Sequence, residues 1–334
     1  MNFKKNIKKF LYYLSKKNFF IRLIGIKDKN IVFLNYHRVL SDEEFKKKNR
    51  PDDDLVVSTE NFEKQIKFLS ENFNVVSIND IENNHFSKKS RVVITFDDGY
   101  FDNLNNAFLI LKKYKCPAII YISTAFLDNE NYPWWLKIWD IIFNNNELVV
   151  DGEKYDLSKK ELKYKAYKFL SKNIILLNQN GQKIFFDKII KNNNLEIKYE
   201  KNAFLNKNDL KTLSKNELIE IGCHTHFHQN LKILDNLELE EEINKSKKIL
   251  EEIINKKVNH FSIPFGTKNT FSKEILKKIQ DQQFKTIVNT EHDLFNINKL
   301  SEIPRIGIGN NDLENRLYSK AIGLDSHINK LLGR

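Results

Sequence analysis

Cysteine is almost missing from this chain: Cys116 and Cys223 are the only two thiols in 334 residues. Two thiols cannot build a disulfide framework, and they suit a reducing compartment where unpaired thiols persist. Proline and glycine are also scarce, five and ten residues respectively. That scarcity excludes collagen-like and Pro/Gly-rich disordered chains, and it makes each glycine or proline informative about position. No apolar run reaches the length of a transmembrane helix. The N-terminus, "MNFKKNIKKFLYYLSKKNFFIRLIGIKDKN", has the basic start of a signal peptide. Its apolar part is split by Lys16 and Lys17, and no small-residue cleavage site follows. Export is therefore not expected, and the chain is read as cytoplasmic or peripheral at the inner membrane face. Residues 1–29 form a basic helical segment in this reading. Residues 1–25 then either touch anionic lipid or pack on the domain that follows.

An acidic excess is lacking as well. There are 55 Lys and Arg against 44 Asp and Glu, a formal charge of +11. A basic balance permits polyanion binding. No compact Lys/Arg run with interleaved aromatics occurs, however, so a lysine-rich solvated surface is the simpler account and nucleic acid is not an expected partner.

What is present is a rhythm. Apolar segments such as "IVFLNY" (31–36), "VVITF" (92–96), "AIIYIS" (118–123), "LIEIG" (218–222), "HFSIP" (260–264), "KTIV" (285–288) and "EIPRIGI" (302–308) alternate with amphipathic stretches. Phe62, Ile66, Leu69 and Phe73 recur at helical spacing behind a cap at Ser58 or Thr59. "NVVSI" (74–78) reads as a further strand, and Leu104–Lys115, Leu237–Lys256, 272–280 and the stretch from Asp312 read as helices. Continuous apolar strands separated by helices predict a parallel sheet covered by helices, and seven or eight strands point to a (β/α) barrel. Residues 126–205 break this rhythm. They carry "YPWWLKIWD" and helical stretches near 159–175 and 181–192, and they are read as an insertion into a barrel spanning 30–334.

The chemistry clusters at strand ends, where parallel α/β folds place their sites. "TFDDG" (95–99) ends one strand with Asp97, Asp98 and a turn-forming Gly99. Side chains alternate along a strand, so the two carboxylates diverge and can take different tasks; helix capping is the competing account. "GCHTHFHQNL" (222–231) puts three of the eight histidines within five residues, just past another strand. The four-residue interval between His224 and His228 brings both imidazoles to one face of a helical turn, whereas an extended chain would align His226 with them. One carboxylate and two imidazoles make a familiar first shell for a divalent metal. "HFSIPFGTKN" (260–269) ends a third strand at Pro264 and Gly266, and exposes the Phe265 N–H as a possible oxyanion donor.

Together "TFDDG" (95–99), "H-T-x-x-H" (224–228) and "PFG" (264–266) resemble the polysaccharide deacetylases, the NodB-homology or carbohydrate esterase family 4 group. The resemblance implies a distorted (β/α) barrel of about seven strands. It also implies a metal-dependent hydrolase that removes N-acetyl groups from an N-acetylated sugar of a surface polysaccharide or glycolipid. In it, Asp98, His224 and His228 hold one divalent ion: zinc, or alternatively cobalt, manganese or nickel. Asp97 is the general base, and the Phe265 N–H stabilises the oxyanion. Two departures stand out. The C-terminal "L-x-H" motif that supplies the general acid in many members is missing, but "LNYHRVL" (34–40) resembles the exopolysaccharide-deacetylase branch, which implies His37 for that role. Ser262 stands where an Arg often orients the base, and Arg305 in "IPRIGI" is the suggested substitute. Trp134, Trp135 and Trp139 all fall in the insertion. Trp134 and Trp135 are weak candidates for stacking on sugar, against the commoner reading of a buried helix face. The alternatives are hydrolysis of another sugar amide such as a formamido group, a catalytically silent carbohydrate-binding relative, and, least favoured, a basic metal-dependent nuclease.

Overall fold

The computed structural model describes residues 31–324 and Ser326, apart from 48–49, 52, 83–88, 130, 197–201 and 292. The expected helical segment 1–29 and its lipid contact lie outside the described residues. The strands in chain order are β1 (Ile31–Tyr36), β2 (Arg38–Leu40), β3 (Val56–Ser58), β4 (Asn74–Val75), β5 (Arg91–Phe96) and β6 (Ala118–Ile122). They continue with β7 (Glu147–Val150), β8 (Glu153–Asp156), β9 (Ile219–Cys223), β10 (His260–Ser262), β11 (Thr286–Asn289) and β12 (Ile303–Gly307).

Among the described residues, seven of these close a parallel barrel in the order β1, β12, β11, β10, β9, β6, β5 and back to β1. The first strand in the sequence thus lies between the last strand and β5. It pairs with β5 along its whole length, from Ile31 with Arg91 to Tyr36 with Phe96. β4 adds only to the first two residues of β5, below the level of Ile94 where β6 begins to pair.

Alternation along the strands builds two faces. Val32, Leu34, Tyr36, Val92, Ile94, Phe96, Ala118, Ile120 and Ile122 point outward into one core cluster shared with the helices. Ile31, Phe33, Val93, Ile119, Tyr121 and Ile303 form a second cluster inside the barrel. Burial on both faces is why these strands read as continuous apolar runs. Each of the Val, Leu, Ile and Phe side chains contributes about 1.5–3 kcal/mol by leaving water.

The helices carry matching stripes. In α1 (Asp42–Lys47) none is buried, whereas in α2 (Thr59–Asn72) Phe62, Ile66 and Leu69 are, and the Ser58 side chain accepts from the Asn61 N–H at the N-terminus. The helix expected over Leu104–Lys115 opens with a π-helical turn at Asn103–Ala107 before α3 (Phe108–Lys113). The strand expected over 74–78 stops at Val75, because Ser77 caps a 3-10 turn at Ile78–Asp80.

The segment after β6 holds α4 (Trp134–Asn144), the β7–β8 hairpin, α5 (Lys160–Ile174) and α6 (Gln179–Asn193). It has its own apolar cluster, in which Trp139 packs on Tyr164 and Tyr167. The hairpin is absent from the sequence reading. Its signal was there: Asp151-Gly152 follows "ELVV", and both residues adopt the positive φ of a tight hairpin turn. The segment rejoins the barrel beside the carboxylate pair, where Leu205 N–H donates to Gly99 C=O and Phe101 N–H to Ala203 C=O. The remaining helices are α7 (Lys207–Ser214), α8 (Asn236–Ile254), α9 (Lys273–Asp281) and α10 (Glu314–Ala321).

Candidate active site and metal centre

Phe96 ends β5, and the backbone then leaves the sheet. Asp98 adopts φ 74° and Gly99 φ 79°. Asp tolerates the left-handed region better than most residues. A Cβ on Gly99 would lie 2.9 Å from the Ile122 side chain, so this turn needs glycine on two counts. The turn separates the two carboxylates.

Asp97 continues the inward set of Thr95 and meets Arg305, which is fully buried inside the barrel. Arg305 Nη1 and Nη2 donate to Asp97 Oδ1 and Oδ2, both at 2.7 Å. Asn35 Nδ2 adds a bond to Oδ2 at 3.2 Å. The guanidinium also donates to Asn35 Oδ1, Thr95 Oγ1, Ser262 Oγ and the Asn289 carbonyl. Ser262 thus accepts from the arginine rather than replacing it. Burial alone would favour a protonated Asp97. The Arg305 charge, with His224, outweighs burial and holds the carboxyl well below the usual carboxylate range.

Asp98 faces the two histidines. Its Oδ1 lies 3.5 Å from His224 Nε2 and 3.3 Å from His228 Nε2. The residue is buried, and this oxygen has no hydrogen-bond partner among the described residues. Burial pushes Asp98 up, but the histidines, His224 foremost, bring it below the ordinary carboxylate value. Burial pushes His228 down to about 3 and favours the neutral ring. His224 is pulled down by burial, yet Asp97 and Asp98 together raise it above the ordinary histidine value. His224 Nδ1 lies 2.8 Å from the Ser262 carbonyl, which can only accept; Nδ1 is therefore the donor and Nε2 is turned to Asp98.

The histidines do not converge on a helical turn. β9 ends at Cys223, and the next residues form an irregular loop in which Thr225 has φ 64° and His228 φ 55°. Those two left-handed residues swing the rings together, with centroids 4.7 Å apart. For a β-branched residue such as Thr225 this conformation costs about 1–3 kcal/mol and persists only under external constraint. His226 turns away, with Nδ1 2.8 Å from Thr124 Oγ1, so the aligned arrangement of three histidines is overturned. Cys223 packs against Ser246 in the core.

The donor atoms of Asp98, His224 and His228 lie within 4.8 Å of one another. A buried carboxylate oxygen without a proton donor, set against two imidazole nitrogens, is the polar arrangement that a divalent cation satisfies. The residues present therefore fit such an ion.

A cavity of about 710 Å³ opens over this cluster. His37, Asp97, Trp134, Trp135 and Phe265 share its lining. His37 follows β1, and its carbonyl accepts from Asn103 Nδ2. Trp135 Nε1 donates to the Tyr100 hydroxyl, and its ring lies 4.8 Å from that of His228. Trp134 lines the same cavity and is 8% exposed, so it is part of a wall more than a surface platform. Phe265 has φ 60°, and its ring packs on His228. Its N–H has no hydrogen-bond partner among the described residues. Gly266 (φ 68°) completes the turn, where a Cβ would lie 2.7 Å from the Thr290 backbone nitrogen.

A family model described as polysaccharide deacetylase matches residues 85–286, well over half of the chain. The chain belongs to that family. Solved structures similar in fold include BC0361, a polysaccharide deacetylase from Bacillus cereus. It is 19% identical with a TM-score of 0.58, over 88% of this chain and 69% of that one. The Streptococcus pyogenes deacetylase PplD, solved with acetate, is 18% identical with a TM-score of 0.58, over 88% and 99%. A de-N-acetylase from Aggregatibacter actinomycetemcomitans is 16% identical with a TM-score of 0.57, over 87% and 100%. No curated protein matches the chain.

Sequence reasoning missed Asn35, Tyr100 and Glu242, all of which touch the site or its loop. Asn35 could have been found from its position two residues before His37 at a strand end. Nothing local marks Glu242, which lies in the middle of a charged helix.

Proposed function

We propose that this polysaccharide deacetylase family member is a metal-dependent de-N-acetylase acting on an N-acetylated sugar of a surface polysaccharide or glycolipid. The observation that carries this reading is the buried, unpartnered Asp98 Oδ1 between two imidazoles, one residue from a carboxylate fixed by Arg305. Asp98, His224 and His228 would hold one divalent ion, with zinc first and cobalt, manganese or nickel as alternatives. When bound, such an ion acidifies a water and polarises the acetamide carbonyl, which lets a carboxylate as weakly basic as Asp97 accept a proton.

The other steps belong to the chain. Arg305 keeps Asp97 ionised and in one rotamer, aimed by two parallel bonds. The Phe265 N–H donates to the oxygen that gains charge as the carbonyl becomes tetrahedral. His37, across the cavity, gives a proton to the departing amine, because an amide anion is too poor a leaving group to depart unprotonated. Trp134 and Trp135 wall the pocket and offer apolar faces to a sugar ring. The two buried, unpaired thiols suit a reducing compartment, and in this reading the substrate is met at or near the inner membrane face.

The test is acetate release from a panel of N-acetylhexosamine substrates, alongside metal analysis. Asp97→Asn should lower kcat by about 10²–10⁴-fold and keep the metal. His224→Ala should lose the metal. Normal turnover by Asp97→Asn ends the assigned mechanism. Formate from formamido sugars, with no acetate from the panel, selects the other amide substrate.

A further inference from the structure

Helix α8 sends one carboxylate into the loop that carries both histidines. Glu242 is 6% exposed. Its Oε2 accepts the His226 N–H at 3.0 Å and the Phe227 N–H at 2.9 Å. Thr225 Oγ1 accepts the His228 N–H at 3.1 Å within the same loop. Two consecutive amides between the histidines therefore end on one carboxylate, while Thr225 ties the His228 backbone to the same loop. These bonds span the loop in which Thr225 and His228 are held left-handed. They meet the condition for strained backbone to persist, namely constraint from outside the strained residues. The helix itself is fixed against β9, since Ser246, one turn beyond Glu242, contacts Cys223 at 3.2 Å.

We infer that Glu242 is a positioning residue that sets the spacing of His224 and His228 by gathering the His226 and Phe227 amides of the loop on one buried carboxylate. The inference rests on the reading that these histidines hold a divalent ion. Glu242 touches neither substrate nor ion in this account. It acts through loop geometry, as outer partners that orient metal ligands do. A carboxylate is suited to this because it is an acceptor only, with lone pairs for several converging donors, whereas a glutamine presents an N–H₂ group to some of them.

The test uses the full chain and Co²⁺ alone, with affinity read by competition against a chromophoric chelator and geometry read from the visible absorption of the bound ion. Glu242→Gln should weaken Co²⁺ binding about tenfold and Glu242→Ala by up to about 100-fold. Thr225→Val should weaken it too, Thr225→Ser should restore it, and the Thr225→Val/Glu242→Gln double variant should cost less than the two singles added. Variants that melt earlier without metal but bind Co²⁺ with unchanged affinity and spectrum overturn the inference, as does strict additivity. A wild-type chain that binds no Co²⁺ overturns the metal reading together with it.

Discussion

At the scale of single residues, the contact between Arg305 and Asp97 decides most. Both side chains are buried, and removing one leaves the other charge without a partner. Arg305→Met should cost about 3–5 kcal/mol in denaturant unfolding for that reason. The pH consequence has a definite sign. Asp97 is depressed in the folded chain, so its contribution to stability is complete above the unfolded carboxyl value of about 3.9 and is lost as pH falls toward the folded value. Without the guanidinium, burial prevails and raises Asp97. Arg305→Lys, which keeps a charge but loses the paired bonds, should then move the acidic limb of the kcat–pH profile to higher pH. An unmoved limb would show that Asp97 does not titrate in the rate. The sequence marked Asp97, Asp98, His224 and His228 clearly, because adjacent acids and clustered histidines at strand ends are chemically conspicuous. The family resemblance suggested Arg305 beside Asp97, but no local pattern could, since 208 residues separate them and only barrel closure makes them neighbours.

At the scale of elements, amphipathic helices were the most legible parts, because their stripes repeat over several turns. α8 is the example: its expected span of Leu237–Lys256 differs little from Asn236–Ile254. Asp235 caps it, accepting from the Leu237 and Glu238 amides, while the Glu238 side chain returns to the Asp235 N–H. Asp235→Ala should therefore destabilise the chain by about 1 kcal/mol. Metal affinity should stay unchanged, because the cap is distant from Glu242 along the helix; a thermal melt beside a Co²⁺ titration checks both. Loops were least legible. The bend between His224 and His228 follows from left-handed φ at Thr225 and His228, and no propensity argument selects Thr for such a position. The β7–β8 hairpin was missed because its strands are short, although Asp151-Gly152 is a strong local turn signal.

At the scale of the whole molecule, the tryptophans offer a measurement. Trp134, Trp135 and Trp139 all lie on α4, in the segment after β6. Trp135 is tied to the barrel through Tyr100 and His228, and Phe126 and Tyr100 both pack on Phe204. Tryptophan fluorescence and far-ultraviolet circular dichroism should therefore report one coincident unfolding transition in denaturant. An earlier fluorescence transition would show the segment opening independently of the barrel. Among the described residues, no helix is long and apolar enough to cross a membrane.

The amino-acid order by itself determined which segments become the strands of the barrel, which faces of the helices are buried, and which strand ends carry acids and imidazoles. Those properties follow from local periodicity and side-chain chemistry. Only the tertiary structure decided that β1 closes the ring between β12 and β5, that Arg305 ends on Asp97, and that Glu242 meets the histidine loop. Each of these is a contact between distant segments whose partners are chosen by strand order and barrel closure, and no local pattern encodes that choice.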